Sequence, residues 1–420
     1  MKIAMINTSD QRGGAAVAAS RLKEALTRKG IGVKLIVRDK ISGDPDVISV
    51  DTGWFRRKLN RFRFLWERGV IFLHNGFSRG KLFAVSIADT GADLSRRPEV
   101  READVIHLHW VNQGLLSLRG LKKLLALGKP VVWTLHDMWP VTGICHHAWG
   151  CGRYETRCGV CPFLDSTRQK DLSTRVFRRK QKIYDCFPGL TLVPVSRWLD
   201  GKCRASVLTA GLRTQVIPNT IDAERFSPGD KIAAREKSGI SAGKKVIAMG
   251  AARIDDPVKG FSLLKEALAK LSPETKEQTT LLLFGGLKDE TVLEDVPVPV
   301  VWLGTVDDPA RLPEIYRAAD VAVSSSHYET FGQTISEAMA CGCPAVGFDN
   351  SGPCDIIDHH QNGWLARYPD AQDLARGIEW VLNHSDPATL AENARQKILD
   401  RFTIDRVAEQ YIELYNSLLK

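Results

Sequence analysis

The stretch Glu329-Thr-Phe-Gly-Gln-Thr-Ile-Ser-Glu337 carries two carboxylates where a strand passes through a loop into a helix. The short apolar segment Val321–Ser326 precedes it and predicts a buried strand. Apolar residues at helical spacing follow, and Gly342 marks the predicted helix end. Carboxylates at such a corner can accept hydrogen bonds from sugar hydroxyls, and N–H groups at the helix start can bind an anion. Two unrelated surface glutamates are the alternative, which the agreement of both flanks disfavours.

Several other segments accompany this stretch. They are Val216-Ile-Pro-Asn-Thr-Ile-Asp222 with Phe226 and Pro228, Gly250-Ala-Ala-Arg253, Lys259-Gly260, Leu303-Gly304, and Glu337-Ala-Met-Ala-Cys-Gly-Cys-Pro344. Together with the two glutamates they resemble the retaining nucleotide-sugar glycosyltransferases of family 4, which have the GT-B fold. The resemblance covers essentially the whole chain. Two positions depart from the family pattern: Thr220 stands at a usual glycine, and Gly352-Pro-Cys-Asp355 replaces a glycine-rich stretch ending in Glu.

The resemblance implies a donor site in the second half of the chain. Arg253 and Lys259 would bind the diphosphate, since Arg can bond a phosphate with two N–H groups and Lys supplies a mobile point charge. Taken alone, such a pair is usually a pair of surface residues. The other donor contacts that the resemblance implies are Glu329 on the transferred sugar, Glu337 on the ribose hydroxyls, and the backbone of Phe331 and Gly332 near the sugar and diphosphate.

By the same resemblance, the first half of the chain is expected to form the acceptor side of the site. Gly13-Gly14 follows a predicted strand and resembles the family's glycine loop, which would bring backbone N–H groups to a phosphate or sugar. A plain tight turn is the alternative. His136 ends another strand, at a position where the family has a histidine near the reacting sugar, and a structural histidine is its alternative. The residues predicted to be catalytic are His136, Glu329, Arg253 and Lys259, with no cofactor needed for catalysis.

Buried strands alternate with helices along the chain, which predicts α/β domains with doubly wound parallel sheets. The first-half strands are Lys2–Thr8, Val33–Arg38, Val105–Trp110, Val131–His136 and Leu190–Ser196. The second-half strands are Lys245–Ala252, Thr280–Gly285, Val300–Gly304, Val321–Ser326 and Ala345–Phe348. The resemblance implies the GT-B arrangement, in which two Rossmann-like domains face a central cleft at the carboxyl ends of their sheets.

The length of 420 residues favours two domains. The polar, linker-like segment Arg225–Lys244 marks the predicted boundary. We therefore predict an acceptor-side domain over 1–225 and a nucleotide-sugar-binding domain over 226–401. The amphipathic segment 402–420 predicts a C-terminal helix, which in the family crosses back to the first domain.

Four of the nine cysteines lie in the segment 145–161, which we treat as an insert in the first domain. They are Cys145, Cys151, Cys158 and Cys161. A structural zinc ion held by these four thiolates is one interpretation, with His146 or His147 as a substitute for one of them. Unligated buried thiols and disulfides are the others, although cytoplasmic reduction disfavours disulfides. The insert resembles one in the colanic acid and exopolysaccharide biosynthesis subgroup.

The formal net charge of +9 is concentrated in two segments, Trp54–Arg68 and Arg175–Lys182. Neither forms a recognisable nucleic-acid-binding module, so we predict no nucleic acid partner. In the first segment cations alternate with aromatic residues, and Phe55, Leu59, Phe62 and Leu65 or Trp66 fall on one side of a helix. This pattern predicts peripheral contact with an anionic membrane. A basic amphipathic helix that covers its own domain is the alternative.

The N-terminal segment begins as a strand, and no apolar segment is long enough for a signal peptide or a membrane-spanning helix. We therefore predict a cytoplasmic protein with peripheral contact at the inner face of the cytoplasmic membrane.

The predicted function is a retaining glycosyltransferase of the hexosyltransferase type. It would move a sugar from a UDP- or GDP-sugar to a glycan or lipid-linked glycan acceptor in surface polysaccharide biosynthesis. One alternative is a soluble-sugar synthase or phosphorylase of the GT-B fold. The other is a catalytically silent zinc-containing scaffold, which the joint presence of Arg253, Lys259, Glu329 and Glu337 disfavours.

Overall fold

A computed structural model describes residues 1–306 and 308–420, which form two compact units. The first unit contains residues 1–218 and 408–420, and the second contains residues 219–407. Each unit is built around one parallel sheet with helices on its faces. Since parallel strands are buried on both faces, their apolar runs are the part of the chain most visible in the sequence.

The first sheet has seven strands in the order β3-β2-β1-β4-β5-β6-β7. They are β1 (Lys2–Ser9), β2 (Gly32–Asp39), β3 (Val47–Ser49), β4 (Val105–Leu108), β5 (Val131–Leu135), β6 (Thr191–Pro194) and β7 (Arg213–Thr214). All neighbouring strands are parallel. The order reverses between β1 and β4, as in a Rossmann fold, and such a reversal opens a crevice at the carboxyl ends of the strands.

The helices of the first unit follow its strands. They are α1 (Gly14–Arg28), α2 (Trp54–His74), α3 (Pro98–Glu102), α4 (Leu118–Leu125), α5 (Leu172–Cys186) and α6 (Arg197–Ala205). Helix α1 shows why they pack on the sheet, because Ala19, Leu22 and Leu26 at helical spacing are all buried.

In the described part of the second unit, six parallel strands have the order β10-β9-β8-β11-β12-β13. They are β8 (Lys245–Arg253), β9 (Thr279–Gly286), β10 (Val300–Trp302), β11 (Val321–Ser324), β12 (Ala345–Phe348) and β13 (Gly363–Ala366). Strands β8 and β11 are neighbours, and the order reverses between them. Residues that follow these two strands therefore lie at one edge of the sheet.

The later helices complete the chain. They are α7 (Lys231–Lys237), α8 (Phe261–Ala269), α9 (Pro273–Gln278), α10 (Leu312–Ala318), α11 (Gln333–Ala340), α12 (Pro353–Ile356), α13 (Ala371–Leu382), α14 (Pro387–Arg401) and α15 (Ile404–Leu419). Most of α15 belongs to the first unit, where the Tyr411 hydroxyl lies 2.7 Å from Thr134 Oγ1 of β5. Among the helices of residues 1–306 and 308–420, none combines the length and apolar character needed to span a membrane.

The structure differs from the sequence predictions in two ways. Strands β3, β7 and β13 were not predicted, because each is short and lies at or near a sheet edge, where apolar runs are weakest. The polar segment Arg225–Lys244 is not a plain linker, since it contains α7. That helix begins at the Asp230 cap and is anchored by the buried Arg235, whose Nε donates to Ala318 O at 3.0 Å.

Candidate active site

The loop that leaves β11 turns into α11 at Gly332, which has a φ of 112°. This left-handed conformation suits glycine, because it has no Cβ. No side chain in the described residues caps the start of α11. Backbone N–H groups at the helix start thus remain available to an anion. The Phe331 side chain is buried and packs edge-on against Phe402, with ring centroids 5.7 Å apart, so this residue can offer a ligand only its backbone.

Lys259 and Glu329 are brought together by neighbouring strands. Lys259 follows β8, Glu329 follows β11, and the Lys259 Nζ lies 2.9 Å from Glu329 Oε2. Burial alone would lower the pKa of Lys259, but the Glu329 carboxylate, with a contribution from Asp256, raises it above its ordinary value of 10.5. The lysine is therefore a cation throughout the neutral range. Both side chains are partly exposed, so the pair can still meet a ligand.

Arg253 ends β8 and stands next to two carboxylates. Its Nε lies 3.3 Å from Asp255 Oδ1, and its Nη2 lies 3.4 Å from Asp256 Oδ2. These contacts are long for ion pairs of arginine. The guanidinium thus lies at the carboxyl end of the sheet, and residues 1–306 and 308–420 offer it no tight bidentate partner. Asp255 and Asp256 were not identified from the sequence, where acidic residues beside a basic one suggest only a polar loop.

Glu337 lies more than one helix turn beyond the loop. It is buried, with 5% of its surface exposed. The Tyr316 hydroxyl donates to Glu337 Oε2 at 3.0 Å. Sequence reasoning missed Tyr316, because a tyrosine in an amphipathic helix is usually a core residue. Its ring packs edge-on against Phe284, so the position of the Glu337 carboxylate is set by the core.

Two glycines allow the backbone segments of this site to touch. A Cβ on Gly260 would lie 2.0 Å from Ser325 O, and a Cβ on Gly352 would lie 2.5 Å from Phe331 O. Gly352 also donates its N–H to Glu329 O at 2.7 Å. Gly352 thus supports the loop that carries Glu329. In the sequence, the Gly-Pro pair after β12 predicts a turn. It does not predict that this turn contacts the loop that carries Glu329.

In the first unit, Gly13 precedes α1 with a φ of 89°. A Cβ built on Gly13 or Gly14 would meet no described atom within 4 Å. Open space therefore lies in front of this helix start, where a bulky polar ligand has room. The observation suits both a ligand-binding loop and a plain turn.

His136 follows β5 and belongs to a row of histidines. Its Nε2 lies 2.9 Å from His109 Nδ1, and the His107 ring lies 4.3 Å from the His109 ring between centroids. His107 also contacts Thr134 Oγ1 and the Tyr415 hydroxyl, each at 2.7 Å. Burial lowers the pKa of His136 to about 4 and that of His107 to about 3. All three rings are thus neutral at pH 7, and His107 and His109 are core residues.

Comparison with known families decides the identity of the chain. Residues 12–225 match the model described as Glycosyltransferase Family 4. The chain belongs to glycosyltransferase family 4. Residues 230–397 of this glycosyltransferase match a second model, described as Glycosyl transferases group 1.

Individual proteins agree with this assignment. A D-inositol 3-phosphate glycosyltransferase of Saccharomonospora viridis is 27% identical, over 97% of this chain and 90% of its own. Anabaena HepE in complex with UDP-glucose has a TM-score of 0.63 at 20% identity, over 99% of this chain and 100% of its own. WaaG, a glycosyltransferase involved in lipopolysaccharide biosynthesis, has a TM-score of 0.65 at 17% identity, over 98% and 99%. The two structures establish the shared fold alone. The predicted fold class, two Rossmann-like parallel-sheet domains of the GT-B type, is confirmed.

The cysteine segment of this glycosyltransferase is tied to the end of β5 by His146. Its Nδ1 lies 2.6 Å from Asp137 Oδ2 and its Nε2 lies 3.1 Å from Ser86 Oγ. The order Ser-His-Asp is that of a nucleophilic triad, but the Ser86 side chain is buried and out of reach of a substrate. The network is therefore structural. Because both ring nitrogens are occupied, His146 is not a candidate metal ligand.

Helix α2 of the glycosyltransferase buries several polar side chains and exposes several aromatic ones. Its buried residues include Asn60, Glu67 and Arg68, and Glu67 Oε1 accepts hydrogen bonds from the N–H groups of Ile87 and Ala88. The aromatic residues Trp54, Phe55, Phe62 and Trp66 are exposed, with Trp54 at 69% and Phe55 at 70%, whereas Phe64 and Phe72 are half-buried. The alternative of a basic amphipathic helix that covers its own domain stays open, since α2 also buries Ile71.

Proposed function

We propose that this glycosyltransferase is a retaining hexosyltransferase that takes its sugar from a UDP- or GDP-sugar donor. The observation that carries the proposal is the Lys259–Glu329 ion pair beside the uncapped start of α11, with Arg253 at the end of the neighbouring strand β8. Cations and free N–H groups suit a diphosphate, and a carboxylate suits sugar hydroxyls. All three are held at one edge of the second sheet.

The residues have different roles in the proposed reaction. Arg253 and Lys259 stabilise the charge that develops on the leaving diphosphate, which itself accepts the proton of the acceptor hydroxyl. Glu329 holds the transferred sugar, and Glu337, oriented by Tyr316, binds the ribose hydroxyls. The Phe331 and Gly332 backbone lies near the sugar and diphosphate. Since two cations meet the diphosphate charge, we expect activity that is independent of divalent metal.

The first unit is proposed to serve the acceptor side. His136, a neutral imidazole at the end of β5, is proposed to hydrogen-bond near the reacting sugar. Gly13 and Gly14 are proposed to bring backbone N–H groups to a phosphate or sugar at the start of α1, where the structure leaves open space. These roles rest on the resemblance to the family as well as on the residues.

Calorimetric titration with UDP, GDP and ADP tests the donor site. We expect one diphosphate to bind the unmodified protein and to lose at least about tenfold in affinity with Arg253→Ala or Lys259→Ala, since a lost charge-assisted hydrogen bond is worth about 1.5–3 kcal/mol. The matched controls are Arg376→Ala and Lys270→Ala, which remove surface cations of the same unit. No binding by any diphosphate, or equal loss in the controls, would contradict the proposed site.

Measurement of turnover distinguishes the catalytic role of Lys259 from its role in donor binding. With the donor that the titration identifies, Lys259→Ala should lower kcat by roughly 100- to 1000-fold, because the interaction is strongest with the charge of the transition state. The anomeric configuration of the transferred sugar in the product, determined by NMR, tests the retaining mechanism. We expect it to be the same as in the donor. An inverted product would refute it.

We further propose that the acceptor is a glycan or lipid-linked glycan of surface polysaccharide assembly and that the enzyme works on the cytoplasmic face of a membrane. Helix α2 supports this proposal. It exposes aromatic and apolar side chains together with cations, a combination that suits the interface of an anionic bilayer. The exposed residues are Trp54, Phe55, Arg56, Arg57, Lys58, Arg61, Phe62, Leu65 and Trp66.

Co-sedimentation with vesicles of neutral and anionic phospholipid tests the membrane surface. Replacing the four cations Arg56, Arg57, Lys58 and Arg61 with Gln should abolish binding to the anionic vesicles. The matched control removes four exposed cations from α5, which has no comparable exposed aromatic residues: Arg175, Arg178, Arg179 and Lys182. The proposal fails if both variants bind as the unmodified protein does, or if both lose binding equally.

A small soluble acceptor is the second candidate. One relative that matches over 97% of this chain is named a D-inositol 3-phosphate glycosyltransferase. Product formation with a set of soluble sugars and polyol phosphates, in the absence of any lipid, would favour this candidate. If neither acceptor class reacts and the donor is not hydrolysed at any enzyme concentration, the scaffold alternative is favoured.

A further inference from the structure

Four cysteines of the first unit surround one small cavity. Cys145, Cys151, Cys158 and Cys161 all line a space of about 20 Å³, closed on other sides by Tyr154 and Phe163. Three of the thiols are buried, Cys151 is half-buried, and all four are free. The cysteines lie within the segment 145–161, and the fold of this segment brings all four to a common space.

Backbone N–H groups are directed at two of the sulfur atoms. Burial raises the pKa of Cys161, and the N–H groups of Phe163 and Leu164, two and three residues further along the chain, partly oppose that rise. Gly143 packs closely against Cys158, since a Cβ on Gly143 would lie 3.0 Å from the Cys158 sulfur, and its N–H lowers the pKa of that thiol in part. N–H donors of this kind favour the ionised form of an acceptor. These N–H groups partly offset the burial that otherwise opposes ionisation of the two thiols.

A buried cation lies beneath the same loop. Lys180 of α5 is fully buried, and its ammonium donates to the carbonyl oxygens of Trp139 and Thr142. Cys145 and Cys158 are among the groups that interact with its charge. A lysine is almost never fully buried unless it is paired. Its ammonium also lies 3.4 Å from the centroid of the Trp139 ring, and Asp137 is among the groups that favour its charged form. A negatively charged centre on the thiol side would add a further partner.

We propose that Cys145, Cys151, Cys158 and Cys161 bind one Zn²⁺ ion as a closed structural site. Four thiolates around a divalent zinc carry a net charge of −2, which Lys180 partly offsets. Soft sulfur donors at four positions select zinc over harder cations. The site would hold the segment 145–161 in place, and with no open position it would take no part in catalysis. The proposal does not depend on the donor or the acceptor.

Binding requires a small rearrangement and a release of protons. In the described residues no three His, Cys, Asp or Glu side chains are already arranged to hold a metal ion. Burial raises the pKa of Cys158 to about 12 and that of Cys161 to about 11, so without metal these thiols are protonated. Zn²⁺ would draw the sulfurs inward by side-chain rotation, with four S–Zn bonds replacing four S–H bonds and four protons leaving to solvent.

Metal analysis of the purified full-length chain, prepared with a reductant and without chelator, tests the proposal. We expect about one zinc per chain, the stoichiometry of a four-thiolate site. Cys158→Ser and Cys161→Ser should lose the metal, whereas Cys186→Ser, an exposed cysteine outside the cavity, should retain it. Cobalt substitution should produce the absorption bands of a tetrahedral thiolate complex.

A readout on the unmodified protein guards against variants that fail to fold. Stepwise titration with a mercurial thiol reagent should release zinc in proportion to the thiols blocked, as read by a metal-sensitive dye. Absence of zinc together with no cobalt spectrum after addition of Co²⁺ would overturn the proposal. Disulfides among these four cysteines, found by mass spectrometry of freshly isolated protein, would also overturn it.

Discussion

At the scale of single residues, the candidate donor site depends on contacts that leave no space for a Cβ. Gly352 adopts ordinary helical backbone angles, so it is not needed for its conformation. Glycine is needed there because the carbonyl oxygens of Glu329 and Phe331 lie too close to the position that a Cβ would occupy. The position of the Glu329 carboxylate is therefore coupled to a residue that makes no direct contact with any proposed ligand.

The first prediction concerns this glycine. Gly352→Ala would place a Cβ 2.5 Å from Phe331 O, so the loop must shift. We expect a loss of about 1–3 kcal/mol in stability, the usual cost of overpacking, and a weaker affinity for the donor diphosphate. Thermal unfolding and calorimetric titration measure the two effects.

The control is Gly201→Ala in α6, where a Cβ meets no described atom within 4 Å. There alanine should be neutral or stabilising, because it favours the helix. Unchanged donor affinity in Gly352→Ala would show that the loop tolerates the shift and would contradict the coupling.

At the scale of elements, strands β4 and β5 and helix α15 enclose three neutral histidines. His107 and His109 alternate with apolar residues in and after β4, and His136 follows β5. Their neighbours are each other, Thr134, Tyr411, Tyr415 and Asp137. Burial opposes protonation of every ring, although Asp137 partly favours it at His136.

The second prediction follows from the sign of these shifts. In the unfolded chain the histidines take up protons near their ordinary pKa of 6.5, whereas in the folded chain His136 does so only near pH 4. The unfolded state thus binds more protons below pH 6.5, and stability should fall as the pH drops from 6.5 toward 4. Each histidine contributes a slope of up to about 1.4 kcal/mol per pH unit.

Thermal unfolding of His107→Gln across this range measures the contribution. The variant should be less stable at neutral pH but should lose stability less steeply in acid. His74→Gln, which alters an exposed histidine of α2, should follow the unmodified protein. An identical acid slope in all three proteins would contradict the assignment.

Helix α2 shows that an element can be located from the sequence without its buried face being known. The sequence predicts an amphipathic helix with aromatic residues on one side. It does not tell which side meets the sheet, because Asn60, Glu67 and Arg68 find partners only in the folded chain: Asp51 for Asn60, the Ile87 N–H for Glu67, and the Val85 carbonyl for Arg68. A buried polar face needs such partners, and these are distant in sequence or supplied by the backbone.

At the scale of the whole molecule, the first unit is assembled from two distant parts of the chain. Residues 408–420 return to it, and Tyr411 and Tyr415 are buried there. The last helix is thus a structural part of the unit that begins at the N-terminus.

The third prediction tests this dependence. Removal of residues 408–420 should destabilise the first unit by several kcal/mol, since truncating one buried large side chain alone costs about 3–5 kcal/mol. The unfolding of the second unit should change less. Limited proteolysis with mass spectrometry of the fragments distinguishes the two units. The control Leu419→Ala alters an exposed residue of the same helix and should leave the cleavage pattern unchanged. Preferential cleavage within 219–407 after the truncation would contradict the prediction.

The sequence by itself determined the class of fold, most of the buried strands, and the positions of Lys259 and Glu329 at the ends of two of them. It could do so because strand periodicity, helix stops and the Glu329–Glu337 spacing are local properties of the chain. Only the tertiary structure decided that Tyr316 orients Glu337, that Gly352 supports the Glu329 loop, and that α7 lies within the predicted linker. It also decided which face of α2 is exposed and that four cysteines line one cavity. These features depend on burial, close approach and hydrogen-bond partners, which exist only once the chain has folded and its segments have met.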